Sequence, residues 1–86
     1  MDDSGMEIYP NPTDLNNSMV TIKFYTERAE STIIVRDVLG RKVKEINLET
    51  IRDWNTLQID VSTLPAGIYS VLLEGNRRAK QLIITE

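Results

Sequence analysis

A turn followed by an apolar run, at residues 64–73, restricts the fold of this chain more than any other segment. Pro65 fixes its own φ and has no N–H to donate to a neighbouring strand, and Gly67 tolerates a positive φ. The chain must therefore turn just before a run that is apolar on both faces. Such a run is typical of a buried strand. We expect residues 68–73 to form the central strand of a sheet.

Tyr69 lies just after this turn, where immunoglobulin-like sandwiches have a tyrosine corner. In that motif the Tyr hydroxyl donates a hydrogen bond to the backbone upstream. The alternative is that Tyr69 is one more packed residue of a sandwich, without a specific bond. Both interpretations place the ring in an antiparallel β protein.

Seven segments of the chain have the composition or the alternation of a strand, and turn residues separate them at intervals of about 8 to 12 residues. No amphipathic stretch is long enough for a helix that covers a sheet. We therefore predict one all-β domain, an Ig-like antiparallel two-sheet β-sandwich of about seven strands, formed by residues 6–86. Residues 1–5 are interpreted as a linker or cloning remnant. The predicted strands are residues 6–9, 19–25, 32–37, 41–48, 56–61, 68–73 and 78–85.

Residues 37–41 have the composition of a tight hairpin. Asp37 can accept hydrogen bonds from backbone N–H groups, and Gly40 can adopt the left-handed conformation that closes such a turn. In the returning strand, residues 41–48, the apolar positions slip by one residue, which predicts a β-bulge. Antiparallel strands should therefore flank this turn.

Residues 49–55 have the composition of a loop that carries two large apolar side chains, Ile51 and Trp54. We expect both side chains to plug the open end of the sandwich. For Trp54, the single Trp of the chain, stacking on a ligand is the alternative interpretation.

The chain contains neither cysteine nor histidine, which excludes disulfides, zinc sites built on those residues and nucleophile–histidine pairs. Asp37, Asp53 and Asp60 belong to different turns or strand ends, so a catalytic pair of carboxylates would need coincidental convergence. The glycines stand singly in turns that no helix follows, unlike a phosphate-binding loop. We therefore predict no enzyme activity, no metal site and no cofactor.

The net charge of −3 disfavours binding of the whole domain to nucleic acid or anionic lipid. Two basic clusters, Arg41-Lys42-Lys44 and Arg77-Arg78-Lys80, stand beside turns. Charges at such places are usually solvated and discourage pairing between sheet edges. No nucleic-acid partner is expected.

Four motifs, taken together, resemble a known family. They are Pro10-Asn11-Pro12, the hairpin Asp37-Val38-Leu39-Gly40-Arg41, the corner Leu64-Pro65-Ala66-Gly67-Ile68-Tyr69 and the closing Lys80-Gln81-Leu82-Ile83-Ile84. In this order and spacing the chain resembles the type A C-terminal sorting domain of the type 9 (Por) secretion system of Bacteroidetes. The resemblance extends from Ile8 to Glu86, and the chain departs from many members in ending Thr85-Glu86 where they have a basic residue.

This resemblance implies an Ig-like sandwich at the end of a larger exported protein. Such a domain directs its N-terminal cargo across the outer membrane, after a separate signal peptide has taken the protein into the periplasm. The type 9 translocon recognises it, and a surface sortase-like cysteine protease then removes it and links the cargo to anionic lipopolysaccharide. The cleavage site should lie upstream of Ile8. By resemblance, the sorting-motif residues are Pro10, Asn11, Pro12, Asp37, Gly40, Arg41, Leu64, Pro65, Gly67, Tyr69 and Lys80.

The alternative function is that of an Ig-like adhesion or carbohydrate-binding module appended to a secreted enzyme, with ligand-binding loops around Trp54 and Asn76. A separate hypothesis concerns the faces of the central strands. Tyr69, Val71 and Leu73 lie opposite Ile68, Ser70 and Leu72, and Ile34 and Val38 lie opposite Ile33 and Val35. If some of these residues are exposed, they form an apolar patch suited to docking or weak self-association.

Overall fold

The computed structural model describes residues 5–14, 16, 18–76 and 79–86, which form an all-β domain without helix. None of these residues belongs to a helix that could cross a membrane. Of the predicted remnant, residues 1–4 lie outside the described part, and Gly5 accepts a hydrogen bond at its carbonyl from the Tyr25 N–H, 2.9 Å away. The strands are β1 (Met6–Tyr9), β2 (Thr13–Asp14), β3 (Met19–Tyr25), β4 (Glu30–Arg36), β5 (Lys42–Glu49), β6 (Trp54–Asp60), β7 (Gly67–Leu73) and β8 (Lys80–Thr85).

Two sheets form the predicted sandwich. The smaller has the strand order β1-β3-β6 and is antiparallel; the larger has the order β2-β8-β7-β4-β5. The strand after the corner, β7, is the central strand of the larger sheet, as predicted. The prediction of seven strands missed β2, which has two residues and pairs in parallel with β8 through Thr13 and Ile84. Two residues are too few for any periodicity to indicate a strand.

The core lies between the inner faces of the two sheets. In β3, Val20, Ile22 and Phe24 are completely buried and alternate with residues that are exposed or partly exposed. Burial of each such side chain contributes roughly 1.5–3 kcal/mol. Facing them are the inner residues of β8, β7 and β4. The core consists of Met6, Ile8, Val20, Ile22, Phe24, Ile33, Val35, Ile59, Val61, Leu64, Tyr69, Val71, Leu73, Leu82 and Ile84.

The hairpin and its bulge were predicted correctly. β4 and β5 pair antiparallel on either side of residues 37–41. The register changes between Val35, opposite Lys44, and Arg36, opposite Lys42, so that Val43 is the extra residue of the bulge.

Two expectations about burial were wrong. Ile51 is 62% exposed and Trp54 38% exposed, so neither plugs the sandwich. Trp54 opens β6 instead of lying in a loop, and its position opposite Tyr25 places it on the outer face with Thr56. The central strand is likewise covered on one face only: Ile68, on its outer face, is 47% exposed.

Candidate functional site

Two of the four sequence motifs meet at one end of the larger sheet. The hairpin follows β4 and the corner precedes β7, and these strands pair with Arg36 opposite Ser70. Because the pairing is antiparallel, the end of β4 lies beside the start of β7. Residues from the 37–43 and 64–69 segments therefore line a common groove of about 320 Å³, although residues 44–63 separate the two segments in the chain.

Exposed apolar side chains dominate this groove. Val38 is 75% exposed, Leu39 74% and Ile68 47%, and Val43 from the bulge is 38% exposed. Pro65 and Ala66 complete the lining. We call these six residues, Val38, Leu39, Val43, Pro65, Ala66 and Ile68, the hairpin–corner surface.

The hairpin holds its shape through Asp37. The Asp37 carboxylate accepts hydrogen bonds from the Leu39 N–H (2.9 Å), the Arg41 N–H (3.0 Å) and the Arg41 Nε (2.8 Å). Gly40, with a φ of 82°, donates its N–H to the Asp37 carbonyl at 3.0 Å. Partial desolvation acts to raise the pKa of Asp37, but the hydrogen bonds from Arg41 and Leu39 outweigh it and lower the pKa. These hydrogen bonds pair the polar groups of the turn with one another, while the side chains of Val38 and Leu39 point to solvent.

The corner is held by Tyr69 in the same way. Its ring is buried, and its hydroxyl donates a hydrogen bond of 2.6 Å to the Pro65 carbonyl. Leu64 is buried in the core and donates its N–H to the Val61 carbonyl. The tyrosine-corner interpretation is thereby confirmed. Pro65 and Ala66 remain exposed at the apex.

The Pro-Asn-Pro turn lies along the last strand and does not line the groove. The Asn11 side chain donates to the Gln81 carbonyl at 2.7 Å and accepts from the Ile83 N–H at 3.0 Å. One side-chain amide thus pairs with β8 as a backbone peptide group would, and β2 continues the pairing. The peptide bonds before Pro10 and Pro12 are cis.

Lys80 lies on an adjoining groove. This second groove, of about 330 Å³, runs from Asp37 and Val38 across Ile68 and Ser70 to Lys80 and Gln81. It connects the hairpin–corner surface with the start of β8. Of the eleven predicted site residues, the hairpin, corner and Lys80 members therefore come together, and the Pro-Asn-Pro members stand apart, bonded to β8.

Some residues of the apolar-patch hypothesis are exposed and others are not. Val38 and Ile68 are exposed, whereas Ile34 is buried and Leu72 is partly buried. Ile34 and Leu72 are directly paired, and each covers the other on the outer face. Leu39 and Val43 belong to the surface but were not singled out from the sequence. The sequence did contain one indication that Leu39 is exposed. Hairpin tips usually carry polar residues, and this one carries Val38 and Leu39.

A second exposed cluster lies on the outer face of the smaller sheet. The rings of Tyr25 and Trp54 meet edge to face with centroids 5.8 Å apart, and Lys23 Nζ lies 5.3 Å from the centre of the Trp54 ring. The nearby Glu27 carboxylate, aided by Asp53, raises the pKa of Tyr25. Among the described residues, no three acidic side chains converge to hold a metal ion.

Comparison with known protein families gives a match over most of the chain. A sequence model of the family described as "Secretion system C-terminal sorting domain" matches residues 7–85. No curated protein matches the chain. The matched region contains all eight strands of the described structure except the first residue of β1.

Proposed function

Since the chain belongs to the family of secretion system C-terminal sorting domains, we propose that the hairpin–corner surface is the part that the secretion machinery recognises. The domain is a C-terminal sorting signal of the type 9 secretion system of Bacteroidetes, and it serves a cargo on its N-terminal side. Its family is one of sorting signals, not of enzymes. It is exported by that system.

The exposure of Val38 and Leu39 is the observation that carries this proposal. Contiguous apolar patches on the surface of a soluble protein, especially those with a polar rim, often mark interaction sites. Both side chains stand at the tip of a turn that Asp37 stabilises internally, so they are presented with little freedom of the backbone. Arg41, whose side chain is 72% exposed, adds a positive charge at the rim. An apolar centre with a polar rim is typical of a binding surface.

The proposed sorting-motif residues fall into two groups with different roles. Asn11, Asp37, Gly40 and Tyr69 form internal hydrogen bonds or a turn that only glycine adopts readily, and so determine the shape. Pro65 and the exposed apolar residues supply contact area. The translocon therefore binds side chains that the motif residues position, more than the motif residues themselves.

Removal of the domain from its cargo is the next proposed step. The domain passes through the periplasm, and at the outer-membrane surface a sortase-like cysteine protease cleaves it from the cargo. Met6–Tyr9 pairs along its whole length with β3. A protease would have to separate this strand from the sheet before the strand could enter its active-site cleft. Cleavage is therefore expected upstream of β1, so that the sandwich is released from the cargo as a whole.

A secretion assay tests the recognition surface. Residues 6–86 are fused behind a signal peptide and a reporter in a host with a type 9 system, and the secreted fraction is measured. The double variant Val38→Ser and Leu39→Ser should lower secretion by about tenfold or more, as expected if these two residues are the hot spot at the centre of the interface. Ile51→Ser is the matched control, because Ile51 is similarly exposed but lies outside the surface. Unchanged secretion of the folded double variant contradicts the proposal.

The aromatic cluster at Trp54 is the observation in favour of the alternative, a carbohydrate-binding module. An exposed Trp beside a Tyr can stack on a sugar, but Lys23 already lies over the Trp54 ring. Binding to a glycan array that is lost in Trp54→Ala and kept in Tyr9→Ala would support this function. Absence of glycan binding excludes it.

A further inference from the structure

The edges of the two sheets are protected to very different degrees. Natural sheets blunt an exposed edge with short strands, prolines, bulges or charged residues. Within the described part of the chain, β1 has four residues and runs into Pro10, β2 has two residues, and β5 carries the bulge at Val43 among lysine and glutamate residues. β6 has seven residues, a continuous register and one charge, Asp60. It is the edge without a protective device.

The backbone groups on the open side of β6 can be assigned from its pairing with β3. The Thr26 N–H donates to the Asp53 carbonyl at 3.1 Å, and the Val61 N–H donates to the Ser18 carbonyl at 2.8 Å. Bonded positions alternate in an antiparallel pair, so odd-numbered residues of β6 bond to β3. The N–H and C=O groups of Thr56 and Gln58 therefore point away from the sheet. No strand among the described residues pairs with these groups.

A partly covered apolar floor lies beside this edge. Leu82 of β8, Val71 of β7 and Ile33 of β4 are completely buried, so the three strands of the smaller sheet cover these three strands. On β5 the inner residues Ile46 and Leu48 are only partly buried. Leu57 of β6 is partly buried as well. The larger sheet thus extends one strand beyond β6.

We propose that an extended segment of a partner protein adds to β6 as a fourth strand of the smaller sheet. Its backbone pairs with Thr56 and Gln58, and its alternate apolar side chains cover Ile46, Leu48 and Leu57. This is β-strand addition, in which backbone bonds supply affinity and the side chains supply specificity.

We call the open edge of β6, with Ile46, Leu48 and Leu57 beside it, the slot. The charged residues around the slot define the sequence of the segment further. At the start of β6, Glu27 and Asp53 lie close to the Tyr25 hydroxyl. At its other end, Lys44 offsets the charge of Asp60. The segment therefore runs parallel to β6, with a lysine or arginine at its N-terminal end beside Asp53, followed by alternating apolar residues.

A second copy of the domain fits the slot poorly. Continuing the smaller sheet through β6 of two copies requires a two-fold axis perpendicular to that sheet. The larger sheets then lie on the same side, and the overhanging β5 of each copy takes the space of the other copy's sheet. A single strand meets no such obstacle. The strand to which the segment would add, β6, belongs to the other sheet from the hairpin–corner surface, so the inference goes beyond the proposed function.

Hydrogen exchange measured by NMR on the purified domain tests the inference. The probe is a synthetic seven-residue peptide that begins with Lys and then alternates Val and Thr. In the free domain, the Thr56 and Gln58 amides should exchange rapidly and the Leu57 and Ile59 amides slowly. Saturating peptide should slow exchange at Thr56 and Gln58 by about tenfold or more, as expected for newly bonded amides. The emission of Trp54, the single Trp, should shift in parallel.

Two controls make the result decisive. A peptide of the same composition with the three Val residues consecutive should give no protection. Gln58→Pro should abolish protection in a folded domain, because proline is tolerated where the N–H points away from the sheet; Gln58→Ala is its matched control. The proposal is overturned if millimolar peptide leaves these amides unprotected, if it perturbs the hairpin–corner surface instead, or if protection rises with domain concentration alone.

The secretion assay separates this inference from the proposed function. Failure of the peptide experiment leaves the result for Val38→Ser and Leu39→Ser unaffected. Normal secretion of that double variant would likewise leave the amide protection at β6 unaffected.

Discussion

Asp37 and Tyr69 each stabilise a turn through a single polar group. In Asp37 this group is a carboxylate on a short side chain, and in Tyr69 it is the hydroxyl on a rigid ring. Asp37 accepts from two backbone N–H groups and one guanidinium, and Tyr69 donates to one carbonyl. The two turns lie side by side and present apolar residues outward. At the scale of single residues, the polar groups therefore determine the shape of a surface to which they add little contact area.

Tyr69→Phe should destabilise the domain by roughly 0.5–1.5 kcal/mol, since it removes one hydrogen bond and keeps the ring packed. Urea unfolding measures the change. Tyr9→Phe is the control, because Tyr9 is 48% exposed. Equal midpoints for Tyr69→Phe and the parent domain would show that the corner bond adds nothing.

Asp37 should make the free energy of unfolding depend on pH in the acid range. Its pKa is lowered in the folded domain, so its contribution is fully present above the unfolded value of about 4 and is lost as the pH falls through the lower folded value. Asp37→Asn should flatten the decline of urea midpoints between about pH 4 and pH 2. Some decline remains, because hydrogen bonds from Ser62 also lower the pKa of Asp60. An unchanged slope in Asp37→Asn contradicts the assignment.

At the scale of elements, β8 connects the two ends of the chain. It pairs antiparallel with β7 on one side and parallel with β2 on the other, and Asn11 extends the second contact. The Thr85 hydroxyl donates to the Thr13 carbonyl at 3.2 Å. The N-terminal segment that joins the cargo is thus bonded to the last strand.

Asn11→Ala should weaken this connection. Two hydrogen bonds to β8 are lost, and the expected destabilisation is roughly 1–3 kcal/mol. Exchange of the Ile83 amide should accelerate more than that of amides in β3. Asn16→Ala is the control, because Asn16 bonds to Asp14 through its backbone N–H. A uniform loss of protection across both sheets would argue against a local role for Asn11.

The sequence predicted the elements whose causes are local. Alternation revealed β3, and Asp37 with Gly40 revealed the hairpin, because the determining contacts lie within a few residues. β2 and the exposure of Trp54 depend on register with distant strands, β8 and β3, which no local pattern specifies. The hairpin–corner surface depends on the pairing of β4 with β7. Its shape-determining residues were predicted, but half of its contact residues were not.

At the scale of the whole molecule, the domain is small and its core is shared by every strand of both sheets except β2 and, in part, β5. Domains of this size have net stabilities of about 5–15 kcal/mol. A strand such as β8, which carries the two buried residues Leu82 and Ile84, accounts for much of this free energy of unfolding. Recognition and folding should therefore fail together when a covered strand is removed, and separately when exposed residues are changed.

Removal of residues 80–86 tests this dependence. The truncation deletes Leu82 and Ile84 and leaves one edge of β7 unpaired. At roughly 1.5–3 kcal/mol for each buried side chain, before the lost pairing is counted, the rest of the domain should not fold cooperatively. Circular dichroism should show no cooperative thermal transition, and secretion of the reporter should cease. Leu82→Ala should lower the free energy of unfolding by about 2–5 kcal/mol. Secretion of the reporter should then fall only in part, in step with the fraction of folded domain. A truncated domain that melts cooperatively but is not secreted would instead mean that the machinery contacts β8 directly.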